Sequence, residues 1–135
     1  MGSFLASPAV KVVSVYKYQS LEAWKRAHAV ALLVLRETDA AYQPKARSLF
    51  DQIRRAAFSV EANIVEGYAL GTRPQFLRHL RIARGSAAEA ECLVRLAAEA
   101  DYLSKEVSLG IEDLLGATMR ALHGLLRRPP VVTVS

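Results

Sequence analysis

The chain has 135 residues, 52% of them apolar, with 18 Lys and Arg against 13 Asp and Glu, a formal net charge of +5 and a pI near 9.7. That length suits a single domain able to bury a core without covalent staples, and a lone cysteine excludes an internal disulfide framework. No stretch approaches the roughly 20 uninterrupted apolar residues of a membrane span, and residues 1–9 lack the charged and long apolar regions of a signal peptide; a soluble cytoplasmic protein with no membrane partner is expected.

Residues 1–18 read as an extension that contains a β-prone segment, residues 10–16. Ser20 stands where an N-cap belongs, ahead of a first helix that carries Leu21, Trp24, Ala27, Ala31, Val34 and Leu35 inward and ends before Tyr42, Gln43 and Pro44. The second helix runs from about Lys45 to Tyr68 and stops in the turn that contains Gly71. Its apolar residues Leu49, Phe50, Ile53, Ala56, Ala57, Val60 and Ile64 recur at steps of three and four, the mark of a buried helical face. On the same helix Asp51 precedes Arg54 and Arg55 by three and four residues, a spacing at which opposite charges pair for roughly 0.2–0.5 kcal/mol. Asn63 adjoins the apolar stripe, so its carboxamide is expected to bond a neighbouring helix.

Thr72 followed by Gln75 forms a capping box, with Pro74 in the first turn of a third helix that buries Phe76, Leu80, Ala83, Ala87, Val94 and Ala97. Ser104 caps a fourth helix with Val107, Ile111, Leu114, Thr118, Leu122 and Leu125 inward, and Arg127, Arg128, Pro129 and Pro130 end it. The expected fold is therefore all-α, an antiparallel up-down-up-down four-helix bundle over residues 19–127, with an extension at 1–18 and a tail at 128–135. The tail holds a second β-branched segment, residues 131–134; the two segments are expected to be tails, with strand pairing as the alternative.

Residues 67–88 contain no acid, while Arg73, Arg78, Arg81 and Arg84 fall in the first half of the third helix. Positive charge there opposes the helix dipole and suits a phosphate backbone. The competing expectation is internal pairing of Glu61 and Glu66 with Arg73 and Arg78, and of Glu89 and Glu91 with Arg54 and Arg55. Aromatic interleaving is thin, so structured RNA or duplex DNA, recognised by charge and shape, is favoured over single strands. No catalytic, phosphate-loop or metal-ligand spacing is present, so no cofactor, no metal and no enzymatic activity are expected. His28 reads as a packed core histidine and Cys92 as a small buried hydrophobe.

Leu21 to Trp24, the stretch DQIRRAAFSVEANIVEG at residues 51–67, Phe76 to Arg78, residues 85–91 (GSAAEAE) and the pair Tyr102 and Leu103 together resemble bacterial four-helix-bundle proteins, some of them encoded in intervening sequences of 23S ribosomal RNA genes. The resemblance covers about residues 18–126. It implies a ring-like homopentamer with suspected nucleic-acid binding, and it gives Asp51, Arg54, Arg55, Asn63, Glu66 and Gly67 the standing of a structural and assembly motif. A related bundle is the basic accessory protein of diversity-generating reverse transcriptases, which makes a reverse transcriptase or another protein a possible partner. Arg84, Ala87 and Ala90 stand where the family usually has leucines, and Glu61 where a small residue or proline is common, so the third helix is slimmer and more basic. Two functions follow as expectations: nucleic-acid binding through Arg73, Arg78, Arg81 and Arg84, or a structural or protein-interaction oligomer held by Arg54, Arg55, Asn63 and Glu66.

Overall fold

The computed structural model describes residues 18–129; the β-prone segments at residues 10–16 and 131–134 lie outside them. A short 3₁₀ turn at Tyr18–Ser20 leads into α1 (Glu22–Ala40), and a second at Pro44–Ala46 into α2 (Arg47–Leu70), followed by α3 (Arg73–Glu99) and α4 (Lys105–Arg127). There is no strand among the described residues. At about 1.5 Å per residue these helices are about 28 to 40 Å long.

Local chemistry sets most of the boundaries. The Thr72 hydroxyl accepts from the Gln75 N–H at 3.4 Å and the Ser104 hydroxyl from the Val107 N–H at 3.1 Å, each satisfying one of the orphan donors at a helix start. Gly71 ends α2 at φ 76°, a left-handed conformation that costs glycine little. At the end of α3, Tyr102 N–H reaches the Ala97 carbonyl at 2.8 Å and Asp101 N–H the Ala98 carbonyl at 3.1 Å. These two bonds make a Schellman motif whose left-handed position, φ 62°, is occupied by Asp101 rather than glycine. The start of α1 differs from expectation. Ser20 belongs to the 3₁₀ turn, and Leu21 takes the N-cap position with no side-chain bond.

Each helix packs against its two neighbours in a closed square, α2 against α3 most extensively. Cross-helix bonds fix the directions: Thr38 and Asp39 meet Arg54 while His28 meets Glu61, Asn63 meets His79 while Ser59 meets Ser86, and Arg95 meets Glu112. Along α1–α2 and along α2–α3 one number rises as the other falls, so these helices are antiparallel; the short turn between Glu99 and Lys105, with the Arg95–Glu112 bond beside it, folds α4 back along α3 in the same way.

The core is built from Val30 and Val34 of α1, Phe50, Ile53, Val60 and Ile64 of α2, Phe76, Leu80 and Val94 of α3, and Ile111, Leu115 and Leu122 of α4, all fully buried. Small residues then set the spacing, because Ala83, Ala87 and Ala90 of α3 are also fully buried. The slim third helix is therefore a packing device that lets α2 and α3 approach closely.

Inward assignments shift on α1, α3 and α4. Leu35 is 37% exposed, and Thr38 takes the inward place one turn on. In α4 the buried row is Ser108, Ile111, Leu115, Thr118 and Leu122, with Val107, Leu114 and Leu125 only half-buried at its edge. Cys92 is exposed rather than buried, because the inward row passes through Ala90 and Val94 on either side of it. No helix among the described residues is long and apolar enough to cross a membrane.

Candidate nucleic-acid interface

The residues 51–67 hold helices together in a way that can be read contact by contact. Arg54 reaches from α2 to α1, its Nε donating to the Thr38 hydroxyl at 2.8 Å and its Nη2 to Asp39 at 2.7 Å. The fully buried Thr38 passes its own proton to the Val34 carbonyl at 2.6 Å, so the hydroxyl is satisfied in both directions. Asp51 and Arg55 are exposed and have no ion pair among the described residues, so the expected Asp51–Arg54 and Asp51–Arg55 pairs are replaced by the Arg54 bridge to α1. The longer reach is favoured because it neutralises a cross-helix carboxylate and caps a buried hydroxyl at once.

Asn63 does find its partner on the neighbouring helix. Its Nδ2 donates to the Ser59 carbonyl at 2.8 Å, which leaves Oδ1 to accept from Nδ1 of His79 at 2.9 Å. Glu66 stands 3.7 Å from the same imidazole nitrogen. Gly67 lies directly beneath: a Cβ at that position would sit 2.7 Å from the His79 Cβ and 3.4 Å from the Phe76 backbone. His79, only 7% exposed, is the residue that sequence reasoning missed. Its place three residues after Phe76 and next to Leu80 was the available signal.

The other two histidines differ. His28 is not a core histidine: its side chain is 45% exposed, stacked on Trp24 at 4.7 Å and bonded through Nδ1 to Glu61 at 2.6 Å. The polar position on α1 exists because Glu61 of α2 faces it. His123 is exposed on α4.

These contacts decide the fate of the α3 arginines. Glu61 is engaged with His28 and Glu66 lies against His79, so neither pairs with Arg73 or Arg78. Glu91 pairs with Arg95, and no acid of α3 reaches Arg54 or Arg55. Arg73, Arg78, Arg81 and Arg84 are all exposed and have no ion-pair partner among the described residues. The expected internal pairing does not form: Glu61 is turned toward His28 of α1, Glu66 makes no ion pair with an arginine among the described residues, and Glu91 pairs with Arg95 on its own helix.

The antiparallel packing enlarges this patch. A plane across the middle of the bundle places Lys25, Arg26, Arg73, Arg78, Arg81, Arg84, Arg120, Arg127 and Arg128 in the half that holds the α2–α3 turn, against only Glu22, Glu61 and Glu66. The other half holds the remaining ten of the 13 acids. Between α3 and α4 in the basic half lies a cleft of about 630 Å³ lined by Arg84, Met119, Arg120, His123, Gly124, Arg127 and Arg128, with no acid in its wall. A second cleft, about 820 Å³, opens at the opposite end of the α3–α4 pair among Arg95, Glu99, Asp101, Lys105 and Glu112. Its charges answer one another: the hydrogen bond from Arg95 to Glu112, with the attraction of Glu112 and Glu91, raises the guanidinium pKa. No group of three or more His, Cys, Asp or Glu placed to hold a metal occurs among the described residues.

Comparison with known proteins bears on the whole of this bundle. A family model described as 23S rRNA-intervening sequence protein matches residues 19–124. A crystal structure of a protein of unknown function from the S23 ribosomal protein family of Bacteroides thetaiotaomicron superposes with a TM-score of 0.72 at 22% identity, covering 78% of this chain and 95% of that one. No curated protein matches the chain.

Proposed function

The chain belongs to the 23S rRNA-intervening sequence protein family, and from that premise we propose that it is a non-enzymatic, cytoplasmic oligomer that binds structured RNA or duplex DNA through the basic half of the bundle. The observation that carries the reading is the state of Arg73, Arg78, Arg81 and Arg84: exposed, and without an ion-pair partner among the described residues. Unneutralised arginines on a rigid helix supply a fixed array of planar donors for phosphates. Their field is reinforced by Arg120, Arg127 and Arg128 from α4.

Binding of this kind depends on counterion release, so log K should fall linearly with log salt, by about 0.9 per neutralised phosphate on duplex DNA. Fluorescence anisotropy with a hairpin RNA and a DNA duplex across a salt series tests it. A steep linear fall is expected, and absence of binding at low ionic strength refutes the reading.

Oligomerisation into the ring that the family resemblance implies is part of the same proposal. Leu32 and Leu35 of α1, Phe58 of α2 and Leu96 of α3 are large apolar side chains left at the surface, 37–51% exposed. Such residues suit contacts between copies. Sedimentation velocity of the full chain should report a homo-oligomer, a pentamer on the family pattern; a monomer at micromolar concentration contradicts it.

A further inference from the structure

The cleft between α3 and α4 differs in kind from the open arginine face beside it. It is a groove open to solvent, and its volume of about 630 Å³ falls in the roughly 300–1,000 Å³ range of small-molecule sites. A bare phosphate would leave most of it empty. Its wall is also amphiphilic: half-buried Met119 and the uncovered backbone at Gly124 provide an apolar surface, while Arg84, Arg120 and Arg127 provide cations. A Cβ added at Gly124 would meet nothing within 4 Å, so open space begins at the helix backbone itself. A ligand that fits both parts must join an anionic group to a flat, weakly polar one.

We propose that this cleft holds a single unpaired nucleotide, its phosphate taken by Arg84, Arg120 and Arg127 and its base lying on Met119 over Gly124. Arg84 belongs both to this cleft and to the α3 arginine row, so a duplex stem lying on that row is led into the cleft where its pairing ends. Unpaired bases splayed from a stem are the features through which RNA is read, and they stack on arginine guanidinium planes while their edges and faces pack on apolar side chains. The inference rests on the nucleic-acid reading above and refines it: the row takes the stem, and the cleft takes the first nucleotide beyond it.

The test compares a blunt hairpin RNA with the same hairpin carrying a short single-stranded overhang, using the full chain and two variants. The wild type should bind the overhang hairpin about five-fold more tightly than the blunt one, a difference on the order of 1 kcal/mol. Gly124→Leu fills the cleft without touching the core and should abolish that preference while leaving blunt-stem affinity unchanged. The double variant Arg120→Ala, Arg127→Ala should lose the preference too. Equal binding of both hairpins by the wild type, or a preference that survives Gly124→Leu, overturns the proposal. Adenosine monophosphate, titrated calorimetrically without RNA, separates the two readings and the two sources of the ligand. If neither hairpin binds, the polymer reading fails, and mononucleotide binding that Gly124→Leu removes upholds the cleft as a site for free nucleotide. If the mononucleotide fails as well, both fall.

Discussion

Alanine at Gly67 and at Gly85 makes the same chemical change on two helices with opposite consequences. Replacing a glycine inside an exposed helix by alanine normally stabilises by about 0.8–1 kcal/mol, because alanine loses less backbone entropy on folding. Gly85 in α3 has nothing within 4 Å of an added Cβ, so it should show that gain in full. At Gly67 the new Cβ would lie 2.7 Å from the His79 Cβ, which is the fixed root of that side chain rather than its mobile end, and 3.4 Å from the Phe76 backbone. Relief requires α2 and α3 to part by several tenths of an ångström, a forced overpacking that costs about 1–3 kcal/mol. It also stretches the 2.9 Å bond between His79 and Asn63. The two variants should therefore differ by about 1–3 kcal/mol, or about 3–10 °C in melting temperature for a chain of this size. Thermal and urea unfolding followed by circular dichroism would measure it. If Gly67→Ala melts as high as Gly85→Ala, the close approach of α2 to α3 is wrong.

Other consequences can be checked with the same tools. Asn63→Ala removes the acceptor for a nearly buried imidazole and should destabilise by about 1–3 kcal/mol in urea unfolding; unchanged stability would contradict the contact. Arg54→Lys loses the forked contact that joins the Thr38 hydroxyl to Asp39, and chemical denaturation should show a loss of about 1 kcal/mol. Asp101→Gly relieves a left-handed residue at φ 62° and should raise stability by about 0.5–1 kcal/mol; a lower melting temperature would mean that the aspartate side chain has a role there. Because like charges crowd one half of the bundle, melting temperature in the absence of nucleic acid should rise as salt is added, and a flat salt response would contradict that crowding.

The four helices were legible because their punctuation is chemical: Pro44, Gly71, Thr72 and Ser104 each act where the sequence puts them. The rotation of each helix was less legible. Where apolar residues stand side by side, as at Val34 and Leu35 or Leu114 and Leu115, periodicity cannot choose between them, and a step of one residue turns the face by about 100°. Packing chose Val34 and Leu115. Cys92 failed for the same reason, lying one position from Glu91 and two from both Ala90 and Val94.

The candidate site was half visible. The α3 arginine row follows from sequence alone, but its lack of partners depends on where the neighbouring carboxylates point, as with Glu61 turned to His28 of α1, a matter of side-chain geometry across helices. The α4 contribution was hidden because Arg127 and Arg128 look like a helix stop. Only the antiparallel pairing of the start of α3 with the end of α4 turns them into one wall of a cleft.

An interface differs from bulk attraction in where, rather than whether, positive charge matters. Two variants with the same net charge serve: Arg73→Ala, Arg81→Ala, Arg84→Ala in the basic half, and Arg36→Ala, Arg47→Ala, Arg55→Ala in the other half, all six being exposed arginines without ion pairs among the described residues. Anisotropy with one hairpin RNA at one ionic strength, on variants shown by sedimentation to keep the wild-type oligomeric state, should show at least about a ten-fold loss of affinity for the first and near wild-type affinity for the second. Equal losses in both variants would mean that the protein attracts RNA only by its overall charge, and would contradict an interface on the basic half.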